Sequence, residues 1–104
     1  MSTTSGYFNF ISEQLSLAEN VSYRKMMGEY IIYSNGKVVG GIYDDRLLIK
    51  PTNSARSMMP DALLEEPYDG AKPMILVDNT DDKEFLAELL SAVEKEIPDK
   101  KKRR

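Results

Sequence analysis

The sequence predicts an α+β domain of two layers. A five-stranded antiparallel sheet is covered by an N-terminal and a C-terminal helix, with elements in the order α-β-β-β-β-α-β-α. Three observations lead there. Residues 21–50 hold four short runs of apolar, aromatic and β-branched residues separated by turn-forming pairs. Apolar residues recur at helical spacing near both ends of the chain. A buried-strand run, Met74-Ile75-Leu76-Val77, lies between the hairpins and the last helical stretch. Local hairpins favour antiparallel pairing, and amphipathic helices need a sheet face to cover.

Phe8, Ile11, Leu15 and Ala18 fall at spacings of three, four and three. That is one face of a helix, expected over residues 4–18 with an N-cap among Ser2 to Ser5. The first strand runs from Val21 to Met27, and Gly28 marks a bend, a bulge or a close backbone approach. Glu29 to Ser34 is the second strand. Asn35-Gly36 then predicts a type I′ hairpin turn, because both central residues of that turn need positive φ. Lys37 to Tyr43 returns as the third strand. Its Gly40-Gly41 pair marks a bulge or a close approach, with tight packing against a terminal helix preferred. Asp44-Asp45 forms the next turn, Arg46 to Lys50 the fourth strand, and Pro51 ends it.

Thr52 or Asn53 caps a short helix over residues 54–59 that Pro60 stops. Residues 61–69 read as loop, with a turn of helix at Ala62-Leu63-Leu64. Four consecutive apolar residues make 74–77 a strand buried on both faces. Thr80 or Asp81 caps the last helix; with Asp81 as cap, Glu84 completes a capping box. Leu86, Leu89, Leu90, Val93 and Ile97 form its buried stripe, and Pro98 terminates it. Residues 1–98 therefore read as one domain, and 99–104 as a basic, disordered tail.

Composition narrows the chemistry. The chain of 104 residues has no cysteine, histidine or tryptophan. Disulfides, thiolate metal sites and the commonest general base are excluded. No apolar run approaches the roughly 20 residues of a membrane span. The first five residues show no export signal, so a cytoplasmic location is expected. Net charge is −3, but Lys100-Lys101-Lys102-Arg103-Arg104 alone carry +5, leaving −8 on residues 1–99. The chain reads as an acidic body with a cationic end.

No catalytic, cofactor or metal residues are identified, and the chain is not expected to be an enzyme. Asp44-Asp45 reads as a turn rather than a cation site, and Asp78, Asp81 and Asp82 as strand exit and helix capping. Met26-Met27 and Met58-Met59 read as core fillers rather than a partner groove. Candidate nucleic-acid contacts are Arg24, Lys25, Arg46 and Lys50, interleaved with Tyr23, Tyr30, Tyr33 and Tyr43. A nucleic-acid sheet surface combines such cations and stacking rings; Lys100, Lys101, Lys102, Arg103 and Arg104 join them as five cations suited to phosphates. An exposed sheet edge would support a homodimer.

Three stretches carry a family resemblance. They are Tyr23-Arg24-Lys25-Met26-Met27-Gly28-Glu29-Tyr30, Asp44-Asp45-Arg46-Leu47 with Lys50-Pro51, and Pro67-Tyr68 with Gly70-Ala71-Lys72-Pro73. Their order and spacing resemble the N-terminal domain of the TfoX/Sxy family of bacterial competence regulators, over residues 5–98. The resemblance implies an α+β fold, a non-catalytic regulatory or protein-interaction role, and an unidentified protein partner. Longer members act in competence gene expression alongside the cyclic-AMP receptor protein and carry a second domain. The expectation here is a stand-alone first domain.

Overall fold

A computed structural model describes residues 3–98 of the chain. It contains helices α1 (Ser5–Gln14), α2 (Asn53–Met58) and α3 (Lys83–Glu96). Its strands are β1 (Val21–Met26), β2 (Glu29–Ser34), β3 (Lys37–Ile42), β4 (Leu47–Ile49), β5 (Leu64–Glu65) and β6 (Met74–Leu76). All six strands join one antiparallel sheet in the order β1-β2-β3-β4-β6-β5.

The sheet thus has six strands, where the sequence predicts five. The extra one, β5, replaces the predicted helical turn at Ala62-Leu63-Leu64. It pairs Leu64 with Ile75 and Glu65 with Met74, on the far side of β6. Three two-residue turns build the first four strands. Met27-Gly28, Asn35-Gly36 and Asp44-Asp45 all have positive φ at both positions, the type I′ signature. Gly28 is therefore part of a tight turn rather than a bend within a strand.

All three helices lie on one face. Ile11 and Leu15 near α1, Ala55 of α2, and Leu86, Leu89, Leu90 and Val93 of α3 pack against Ile32, Val39, Ile42, Leu47, Ile49, Ile75 and Val77. Every one of these is essentially buried. Each fully buried Leu or Ile contributes about 1.5–3 kcal/mol relative to exposure, so this layer dominates stability.

Helix ends follow local chemistry. Thr4 caps α1 by accepting from the Tyr7 amide, and Thr52 caps α2 by accepting from the Ala55 amide. Helix α1 ends at Gln14, four residues short of the predicted limit, and residues 15–20 turn into β1. Asp82 caps α3, accepting from the Phe85 amide, so neither Thr80 nor Asp81 holds that position. Glu84 consequently lies one residue too early for a capping box and acts only through the helix dipole.

The Gly40-Gly41 pair has a different cause from the helix packing expected. The β2–β3 register shifts between Ile32 and Tyr33, leaving Val39 as an inserted residue. Beside this bulge a Cβ on Gly40 would strike the Leu48 carbonyl oxygen and come within 3.0 Å of Ile49 Cα. The crowding partner is the backbone of β4, not a helix. On Gly41, a Cβ would lie 2.5 Å from the Tyr43 ring. Met58 and Met59 pack against the core as expected, but Met26 and Met27 do not; Met27 is 96% exposed.

Candidate functional site

Strand alternation and the pairing register divide the tyrosines between the two faces. Tyr23 pairs with Ile32 and Tyr30 with Ile42, both core residues, so these rings face the helices. There Phe8 stacks on Tyr30 at 4.0 Å and meets Tyr23 edge-on at 5.2 Å. Tyr33 pairs with Val38, on the opposite, helix-free face. Tyr43 shares that open face, its ring lying over Gly41.

The predicted cations divide as well. Arg24 pairs with Ile31 on the open face. Lys25 pairs with Tyr30, its ammonium 6.0 Å from that ring on the helix side. Arg46 and Lys50 flank the strand β4 and, by alternation with Leu48, face the open side. The five cations at positions 100–104 lie outside the described residues.

Arg46 is already engaged. Its Nη1 bonds Glu65 Oε1 at 2.8 Å and the Glu66 carbonyl at 3.2 Å; Nη2 reaches the Pro67 carbonyl at 3.3 Å and Nε the Tyr43 carbonyl at 3.1 Å. These bonds clamp the segment after β5 onto the open face. Pro67, within that segment, is buried. Leu48, which belongs to the open face and not to the helix-side core, is fully buried.

Between the clamped segment and the sheet lies an open cleft of about 500 Å³. Val38, Tyr43, Lys50, Pro51, Tyr68 and Lys72 line it, with Pro67, Pro73 and Met74. No carboxylate is among its lining residues. Tyr43 and Tyr68 approach at 6.4 Å between ring centres, tilted by 58°. Burial, reinforced by Tyr68, Glu29 and Tyr33, raises the Tyr43 phenol above its usual range. It therefore remains a neutral hydroxyl donor well beyond physiological pH. Tyr68 is 65% exposed.

Sequence reasoning singled out Tyr43 and Lys50 but not Tyr68, Lys72, Pro67 or Pro73 as site residues. The available signal was the density of proline around Tyr68. Another depression, about 350 Å³, lies between residues 17–19 and α3. Its Glu94 is engaged by Lys37 at 3.1 Å and by Asn35.

The Asp44-Asp45 turn is explained by internal bonding. Asp45 Oδ1 accepts from the Thr4 amide and hydroxyl, at 2.9 and 3.1 Å. Glu29 Oε1 accepts from the Thr3 amide and hydroxyl and from the Asp44 amide. These contacts tie the start of the chain to two hairpin ends. Among the described residues, no group of three or more acidic side chains could hold a metal ion, and no helix is long and apolar enough to cross a membrane.

The family model for the TfoX N-terminal domain matches residues 13–92. An uncharacterized 12.7 kDa protein in the trpE 5′ region of Spirochaeta aurantia is 35% identical over 79 residues, covering 76% of this chain and 69% of that protein. No solved structure matches. A two-layer α+β fold and a family match spanning the whole sheet, α2 and most of α3 lead to one assignment: the chain belongs to the TfoX N-terminal domain family.

Proposed function

We propose that this protein is a non-enzymatic, regulatory interaction module that grips an extended acidic segment of another protein in the open-face cleft. The carrying observation is the lining of that cleft. Two lysines flank two tyrosines and three prolines, without a carboxylate among them. Prolines and tyrosines offer rigid apolar surface at low entropic cost, and aromatic-lined grooves suit extended peptides. Lys50 and Lys72 complement acidic side chains, and the neutral Tyr43 hydroxyl donates to a carbonyl or carboxylate. Absence of histidine and cysteine from the whole chain supports a role without covalent or acid–base catalysis. Family membership supports regulation.

The alternative is a nucleic-acid accessory role through Arg24, Lys25, Arg46, Lys50 and the basic residues 100–104. Lys50 beside the rings of Tyr43 and Tyr68 supports it, because stacking rings with cations also suit single strands. The net −8 of residues 1–99 opposes it.

Isotope-labelled full chain titrated with an extended Asp/Glu-rich peptide, and separately with a single-stranded oligonucleotide, decides. The expected result is NMR shift changes confined to residues around Tyr43, Lys50, Tyr68 and Lys72 with the peptide, abolished by Lys50→Glu plus Lys72→Glu. Oligonucleotide binding alone, with a salt slope of about −0.7 per phosphate contact, would replace this reading with the nucleic-acid one. Peptide shifts elsewhere on the surface would refute the cleft.

A further inference from the structure

A second hollow, of about 420 Å³, adjoins the open-face cleft and shares the Pro67-Tyr68 wall with it. It sits where Glu29 begins β2 and the Asp44-Asp45 turn joins β3 to β4. Its charge is opposite to that of the cleft. Glu29, Asp44, Glu66 and Asp69 line it, with Arg46 as the lone cation in its lining. Arg46 is spent on Glu65 and on the carbonyls of Tyr43, Glu66 and Pro67. Among the described residues, none of those four carboxylates forms an ion pair, and neither do Lys50 and Lys72 of the cleft. We infer, on the basis of the cleft function proposed above, that the segment bound there is charged in two blocks: acidic residues lie against Lys50 and Lys72, and a lysine or arginine past Tyr68 enters the carboxylate-lined hollow.

The boundary between the two charge regions is narrow. Tyr43 lines the cleft and its neighbour Asp44 the hollow; on the facing segment Tyr68 lines both, and Asp69 only the hollow. An extended chain advances about 3.3 Å per residue, so a ligand lying in the cleft reaches the hollow within a few residues. Charges of both signs are held apart on the two sides of this wall rather than neutralising one another, and such a pattern is met by a partner of complementary pattern. The exposed Tyr68 ring stands at the crossing, an added attraction for an ammonium or guanidinium group. Glu29 is fixed as an acceptor for Thr3 and for the Asp44 amide, whereas the side chains of Asp44, Glu66 and Asp69 are exposed. The hollow also excludes. A uniformly acidic segment, or a single strand with a phosphate at every nucleotide, would carry its anions into these carboxylates.

Three synthetic peptides test the pattern. Each has a Glu-rich half and a proline spacer, and ends in a Lys-rich, a Gln-rich or a second Glu-rich half. NMR titration of the labelled full chain at low salt measures their affinities. The Glu/Lys peptide should bind about tenfold tighter than the Glu/Glu peptide, with Glu/Gln between, because an exposed ion pair is worth up to about fivefold and opposed like charges cost a similar factor. Asp44→Asn, Glu66→Gln and Asp69→Asn together alter only exposed side chains and leave the Arg46 bonds in place. That variant should lose most of the preference while binding the Glu/Gln peptide as the parent does. A nitroxide on the Lys-rich end should broaden the amide signals of residues 44 and 66–69, and one on the Glu-rich end those of residues 50 and 72. Equal affinity for all three peptides, with shifts around Tyr43, Lys50 and Lys72, would overturn the two-block pattern and leave the acidic-segment reading standing. So would broadening of residues 44 and 66–69 by the Glu-rich end. No shift at the cleft with any of the three would overturn the cleft reading itself, and the two-block pattern with it.

Discussion

Replacing Gly40 with alanine tests the account of the sheet's most crowded point. An added methyl there would strike the Leu48 carbonyl oxygen, and would lie 2.9 Å from Ile49 Cδ1 and 3.0 Å from Ile49 Cα. The Cδ1 methyl can rotate away; the other two atoms are β4 backbone. Strand β4 cannot retreat, because β3 pairs with it on one side and β6 on the other, and Leu47, Leu48 and Ile49 are all fully buried. Overpacking a core typically costs about 1–3 kcal/mol, and a backbone obstacle places this case at about 3. Against a stability of about 5–15 kcal/mol, such a loss lowers Tm by about 12–24 °C for a domain of this size. Gly6→Ala is the matched control. Gly6 is in α1 with nothing within 4 Å of its added methyl, so that variant should gain about 0.5 kcal/mol. Urea and thermal unfolding followed by circular dichroism measure both. A Gly40→Ala protein within about 0.5 kcal/mol of the parent, the scatter of ordinary surface changes, would refute the close approach of β3 and β4.

Three further outcomes are expected. Arg46→Ala removes the Glu65 pair and the bonds to the Glu66 and Pro67 carbonyls, and should speed amide exchange over residues 66–69 while costing about 1.5–3 kcal/mol. Arg46→Lys should recover little, because a single ammonium cannot span those acceptors. Asp82→Ala should cost about 1 kcal/mol by urea unfolding, whereas Asp81→Ala should be close to neutral, since Asp82 alone caps α3. Hydrogen bonding from Lys37, then from Asn35, holds the Glu94 carboxyl below its usual range. A depressed folded pKa gives stability that is present above the unfolded value and disappears as pH falls through the folded one. Unfolding free energy should therefore fall less steeply below about pH 5 in Lys37→Met than in the parent.

Strand identity was largely legible because it rests on local chemistry. Asn35-Gly36 specifies its turn whatever surrounds it, and the helical stripe from Leu86 to Val93 needs only a face to cover. What escaped depended on distant neighbours. Leu64-Glu65 is too short for any periodicity, and becomes a strand only because β6 offers a free edge. Thr80, Asp81 and Asp82 are all competent caps; the choice belongs to the path taken after Val77, where the Thr80 amide turns back to the Asp78 carbonyl. The cleft joins residues from 38 to 74 through the Arg46 clamp, and no sequence window contains it. A mix of Tyr, Lys and Arg along the strands looked like one surface, yet half of those rings are spent packing Phe8.

One inserted residue decides which half. If β2 and β3 kept the register of Tyr33 with Val38 and Ser34 with Lys37 throughout, Gly40 would face Ile31 and Gly41 would face Tyr30. Side-chain alternation would then turn Ile42 to the open side and Tyr43 into the helix layer. The bulge at Val39 shifts the pairing to Ile31 with Gly41 and Tyr30 with Ile42. Ile42 becomes fully buried core, and Tyr43 emerges over Gly41 to meet Tyr68. The glycine pair serves the same end twice: Gly40 lets β4 close on the distorted strand, and Gly41 leaves room for the displaced ring. A single local irregularity, followed by two residues without side chains, thereby supplies one wall of the cleft while keeping the core continuous on the other face.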